Sequence, residues 1–273
     1  MTRIAVALLI LPSVFLFGAV ERAEADIVCD LRTAGSSCSI NGGLFFTDEQ
    51  HPTGTGVINS FLRLQQKGWE QGYNTSARPI QTGMDSKSDS NFTRNLELAE
   101  VGTKVIGGVT YREFFLDVNE PASTDGKNWI TLDQLEIFVS NTPDLNNYSP
   151  TNPNLNNDED GSLAGAVKIY DMDTATQDAY VQLDYLLSGE GSGSSDMVFY
   201  LDSARFGDYK YVYLFSQFGD FKNKSYKYES QAGFEEWFTK LGPPSDITVI
   251  PEPGTLLLLG TGLGFAARRR LRR

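Results

Sequence analysis

The sequence is short of histidine, cysteine and positive charge. Its 273 residues include one His, His51, and two Cys, Cys29 and Cys38. A Cys/His zinc site or a His-based triad has almost nothing to be built from. No Gly-x-Ser-x-Gly elbow occurs either. His51 lies among turn-forming residues, 48–54, and reads as a loop residue. Lys and Arg number 23 against 35 Asp and Glu, a net charge of −12. Seven of those basic residues and three of the acids lie in the end segments, which leaves residues 26–250 with 16 against 32, net −16. A surface this acidic repels phosphate backbones, so nucleic acid is excluded as a partner. With 40% hydrophobic and 12% aromatic residues the chain is too apolar for a disordered one.

The two ends read as addresses. Arg3, the apolar stretch 4–19 and the small-x-small pattern Ala23-Glu24-Ala25 form a secretory signal peptide, residues 1–25, read by the Sec export machinery. The mature chain is expected to start at Asp26. At the other end Pro251-Glu252-Pro253 breaks any preceding strand or helix. A Gly/Leu-rich apolar run, 254–267, follows, and then Arg268, Arg269, Arg270, Arg272 and Arg273. The run is short for a membrane span, and the arginines act as a cytoplasmic stop by the positive-inside rule. The precursor is thus expected in the inner membrane with its domain outside.

This break, span and basic stop resemble the PEP-CTERM sorting signal of exopolysaccharide-producing Gram-negative bacteria. The same segment also goes under the name ice-binding protein C-terminal domain, which does not imply ice binding. The resemblance covers residues 249–273 and matches Pro-Glu-Pro without departure. It implies recognition by exosortase, a membrane cysteine transpeptidase-like enzyme that cuts near the motif. The tail would then be transient. Segments 111–120, 130–137, 191–197 and 233–237 also resemble stretches that recur upstream of such signals, with no reaction attached to them.

The middle, residues 26–248, reads as β. Short aromatic or β-branched runs alternate with Gly, Asn, Asp and Ser clusters. Strands are expected at 43–47, 57–65, 110–118, 130–139, 166–171, 179–187, 196–202 and 209–218. Val181, Leu183, Tyr185 and Leu187 fall on one face, as do Tyr209, Tyr211, Tyr213 and Phe215. Segment 91–105 is a further strand candidate, and 233–241 the one expected helical turn. Strands without alternating helices point to an all-β, single antiparallel β-sandwich of jelly-roll type. Residues 141–162 read as a surface excursion and 189–195 as a flexible turn. Cys29 and Cys38 enclose a short polar turn and are expected to pair in an oxidising compartment. That bond would pin the N-terminal edge and contribute at most about 2–3 kcal/mol.

Chemistry has few candidates. Asn156, Asp158 and Asp160, followed by Gly161, match the start of a calcium loop, but Val167 stands where an EF-hand needs its bidentate acid. Asp117, Asn119 and Glu120 form a second oxygen-rich candidate. Glu235-Glu236 beside Trp237 could flank a sugar or be a half-buried capping segment. Tyr209, Tyr211, Tyr213, Tyr226, Tyr228, Trp69 and Trp129 could stack on sugar rings or serve as strand-core aromatics. No catalytic residue and no required cofactor are expected. The leading expectation is a non-enzymatic protein of the bacterial surface or extracellular matrix. The alternative is an exopolysaccharide-binding module, with or without calcium; a secreted glycoside hydrolase ranks third.

Overall fold

The computed structural model describes residues 27–47, 58–123, 125–149, 161–173, 178–187, 195–219, 228–231 and 233–240. The signal peptide, His51, the Asn156, Asp158 and Asp160 loop, the 189–194 turn and the 249–273 tail lie outside these residues. Among the described residues no helix is long and apolar enough to cross a membrane.

The strands are, in the first half, β1 (Ile27–Asp30), β2 (Ser37–Ile40), β3 (Gly43–Thr47), β4 (Ile58–Leu64), β5 (Lys67–Gly68), β6 (Glu70–Tyr73), β7 (Leu96–Glu97), β8 (Thr103–Ile106) and β9 (Val109–Asp117). There follow β10 (Trp129–Ser140), β11 (Tyr148–Ser149), β12 (Ser162–Leu163), β13 (Val167–Asp171), β14 (Ala179–Asp184), β15 (Met197–Asp202), β16 (Tyr211–Phe218), β17 (Ser230–Gln231) and β18 (Glu235–Lys240). One seven-stranded sheet runs β1-β14-β10-β16-β6, with β13 also on β10 and β7 on β16. The other runs β2-β3-β15-β9-β18-β4, with β8 on β9. Pairing is antiparallel except between β1 and β14.

Period-two alternation explains which faces meet. Val212, Leu214, Ser216 and Phe218 of β16 turn to one side, and Tyr211, Tyr213 and Phe215 to the other. The first set joins Phe114 and Leu116 of β9, Phe199 and Leu201 of β15, and Trp237 of β18 in one cluster shared by both sheets. Each such large side chain contributes about 1.5–3 kcal/mol on full burial. The Trp237 indole N–H donates to Ser216 Oγ at 3.0 Å across this interior. The outer faces are covered as well: Phe138, Tyr148, Tyr213 and Phe215 cluster on one sheet, and Phe115, Val198, Tyr200 and Phe238 on the other.

Three readings need correcting. Segment 233–241 contains the strand β18, not a helical turn: Phe234, Trp237, Phe238 and Leu241 mimic helical spacing, but strand alternation sends the Trp237 and Phe238 rings to opposite faces. Residues 141–149 and 161–163 are more than a surface excursion. Tyr148 stacks on Phe215 at 4.2 Å between centroids, and β11 pairs with β12 over the outer face. Finally, Tyr209 precedes β16 and packs against the central cluster rather than with Tyr211 and Tyr213, while Leu187 lies beyond β14 and is exposed.

Candidate functional site

Three carboxyls meet inside the molecule. Glu70 opens β6 in the first sheet, and Glu235 opens β18 in the second. Glu120 lies three residues beyond β9. Their exposures are 0%, 0% and 3%. Alternation puts Glu235 on the same inward face as Trp237, whereas Glu236 turns outward. Two glycines let the backbones close in. A Cβ on Gly233 would fall on the Asn119 carbonyl oxygen, and one on Gly219 (φ +110°) on that of Gly68.

The donors present are few. Gln66 N–H donates to Glu70 Oε2 at 2.6 Å, and Gln231 N–H to both oxygens of Glu120 at 3.1 and 3.0 Å. Glu70 Oε1 and both carboxyl oxygens of Glu235 are buried and receive no hydrogen bond from the protein. Yet the Glu235 carboxyl lies within hydrogen-bond reach of Glu70 and Glu120. Burial foremost, and then the neighbouring carboxyls, hold Glu235 well above the usual carboxylate range. Burial likewise raises Glu120 to about 8 and Glu70 to about 7. Carboxyls this close and this buried differ from a glycosidase pair, which stands about 5–9.5 Å apart around a sugar. Among the described residues no group of three or more His, Cys, Asp or Glu is arranged to hold a metal ion.

Beside this cluster a groove of about 390 Å³ opens to the surface, lined by Gln66, Lys67, Trp69, Gly83 and Asp85. Asp85 Oδ2 accepts Gln71 N–H at 3.0 Å, and partial burial raises the Asp85 carboxyl from its ordinary value. An indole face with an amide, an ammonium and a carboxyl around it is the chemistry that holds a sugar. Trp129 is differently occupied. Its ring stacks on Tyr228 at 5.8 Å and carries the Arg32 guanidinium at 4.7 Å, while its N–H donates to Asp184 at 3.2 Å.

Two of the candidates expected from the sequence fall in this region. Glu120 entered as a calcium candidate with Asp117 and Asn119, and Glu235 beside Trp237 as a possible sugar flank. The structure brings Glu120 to Glu70 and Glu235, and turns Glu236 away to Arg63 at 2.6 Å. Glu70 was missed, because Glu-Gln-Gly-Tyr has no strand alternation to announce it. Cys29 and Cys38 are joined by a disulfide, Cα to Cα 5.9 Å.

In a comparison with known protein families, residues 249–270 match the PEP-CTERM protein-sorting motif. Pro251, Glu252, Pro253, Arg268, Arg269 and Arg270 all fall within it. The chain therefore carries the signal of an exported, membrane-passing precursor that is processed by exosortase. No curated protein and no solved structure shows similarity to it.

Proposed function

We propose that the chain is a non-enzymatic protein of the bacterial cell surface or extracellular matrix, built as a jelly-roll-like β-sandwich between two removable addresses. Residues 1–25 would engage the Sec machinery and be cut after Ala25. The apolar run after Pro253 would hold the precursor in the inner membrane, with Arg268, Arg269, Arg270, Arg272 and Arg273 on the cytoplasmic side, until exosortase cuts at or near Pro251-Glu252-Pro253. The observation that carries this reading is the match over residues 249–270. The two sheets closing on one shared core agree with the sandwich.

The test is intact mass of the full chain expressed in a host that has exosortase. Loss of both ends is expected, with Pro253→Ala retaining the tail and staying in the inner membrane. Wild-type protein still ending at Arg273 would overturn the reading.

A second reading is favoured by the Trp69 groove: the domain binds exopolysaccharide there. Polysaccharide pull-down of the wild-type protein, with and without calcium, tests it. Retention lost on Trp69→Ala supports the groove. Dependence on calcium that disappears with Asp158→Asn and Asp160→Asn would add the 156–160 loop as the ion's holder.

A further inference from the structure

The two sheets are fastened differently at their two edges. At one, the Cys29–Cys38 bond joins β1 of the first sheet to β2 of the second. At the other, β6 is the last strand of the first sheet, and β18 stands one strand in from the end of the second. No disulfide reaches across there, and none of the described Lys or Arg pairs with Glu70, Glu120 or Glu235. Leu64 of β4 packs against Gly72 of β6 at this edge, and beside it the sheets meet through carboxyls, three of whose oxygens lack any donor from the protein.

We propose that Glu70, Glu120 and Glu235 are a proton-held clasp that fastens the two sheets at this edge and loosens as the surroundings turn alkaline. Glu235, reached by no N–H or O–H of the protein, holds a proton and donates it to Glu70 or Glu120, both of which already accept backbone N–H bonds. Each carboxyl thereby gains the partner that burial requires. Removing the protons would leave up to three negative charges at hydrogen-bond separation inside a low-dielectric interior.

The charges around the clasp do not neutralise it. Asp85 and Lys87 act on Glu70 with opposite signs. Lys67 lies on the groove rim, and Glu236 with Arg63 faces the other side of β18. Asp117 is opposite Glu236 in the strand register. An unfolded glutamate loses its proton near pH 4.5, while in the fold Glu70 holds its own to about 7 and Glu120 to about 8. The folded state thus binds more protons across that window, and its stability declines as pH rises through it.

The experiment is thermal unfolding of the full chain in mild detergent between pH 5 and 9, joined to infrared spectroscopy at pH 7. The melting temperature of the wild type should fall by roughly 5–10 °C over that range. A protonated-carboxyl band should be present at pH 7 and be lost in Glu235→Gln. Glu235→Gln and Glu70→Gln keep a donor in place of the proton, so both should melt higher than wild type at pH 8 and show a flatter slope. The excess of surface acids also favours low pH, so the slope difference between variant and wild type isolates the clasp. Equal slopes, or no protonated-carboxyl band in the wild type, would overturn the proposal. So would millimolar calcium that raises the melting temperature and removes the slope, since a cation would then occupy the cluster. If neither variant folds, the wild-type band and its disappearance with rising pH decide the matter.

Discussion

The disulfide edge and the carboxyl edge solve one problem by opposite means. Both must hold two sheets together where the strands run out. At the first, a covalent bond closes a loop with a sequence separation of 9, and its contribution is independent of pH. At the second, three acids from β6, β18 and the segment after β9 share protons, so their contribution depends on pH throughout the range in which glutamate ordinarily has no proton left. Another buried carboxyl shows that burial alone does not dictate this. Glu136 is also fully buried, but Lys168 donates to it at 2.7 Å, Gly161 N–H at 2.8 Å and the Tyr148 hydroxyl at 2.8 Å. Burial lowers the Lys168 ammonium, but Glu136 and Asp171 outweigh that and raise it on balance. A buried acid is therefore defined by its donors: Glu136 has a cation, a backbone N–H and a hydroxyl, whereas Glu235 has only other acids.

The largest change should come from erasing that distinction. Lys168→Met leaves Glu136 buried without its cation, at a cost of about 3–5 kcal/mol in denaturant unfolding at pH 7. A loss well below that would mean that the Gly161 N–H and the Tyr148 hydroxyl suffice for the buried Glu136. Next is the other edge. Replacing both Cys29 and Cys38 with Ser should cost about 2–3 kcal/mol, with no difference between pH 5 and pH 8. A pH-dependent loss would mean that the two edges are coupled. Third, Glu70→Gln should stabilise by about 1–2 kcal/mol at pH 8 and by almost nothing at pH 5, since the amide carries no charge to bury.

The eight strands expected from alternation all appear, with ends shifted by no more than three residues. They were legible because Phe114, Leu116, Phe199, Leu201, Val212 and Leu214 repeat at the strand period. The short strands were not, for a physical reason: β5, β6 and β17 hold mostly polar residues and Gly, whose place is set by what they pair with. The sequence of β18 mimics a helical turn because both of its faces are buried, Trp237 in the central cluster and Phe238 in an outer one, and a two-sided strand loses its alternation. The carboxyl site falls in just these segments. Its members are 50 and 115 residues apart in sequence, and only the pairing of the sheets brings them together. The sorting tail is the reverse case. Its information is carried by contiguous residues that a processing enzyme reads, so the sequence sufficed.

The smallest expected effect is one residue from the clasp, and it sharpens the comparison most finely. Glu235 and Glu236 are neighbours on β18 and face opposite ways. Arg63 meets Glu236 through Nε at 2.9 Å and Nη2 at 2.6 Å, with its guanidinium also over the rings of Phe92 and Phe234. Lysine would keep the charge but lose the fork and the planar stacking. Arg63→Lys should therefore cost about 1 kcal/mol, and equally at pH 6 and pH 8, since Glu236 remains beside a cation. If the pair and the clasp are independent, Arg63→Lys and Glu235→Gln should add within about 0.5 kcal/mol in a double-mutant cycle at pH 8. A larger coupling would mean that β18 transmits the protonation of its inner carboxyl to its outer one.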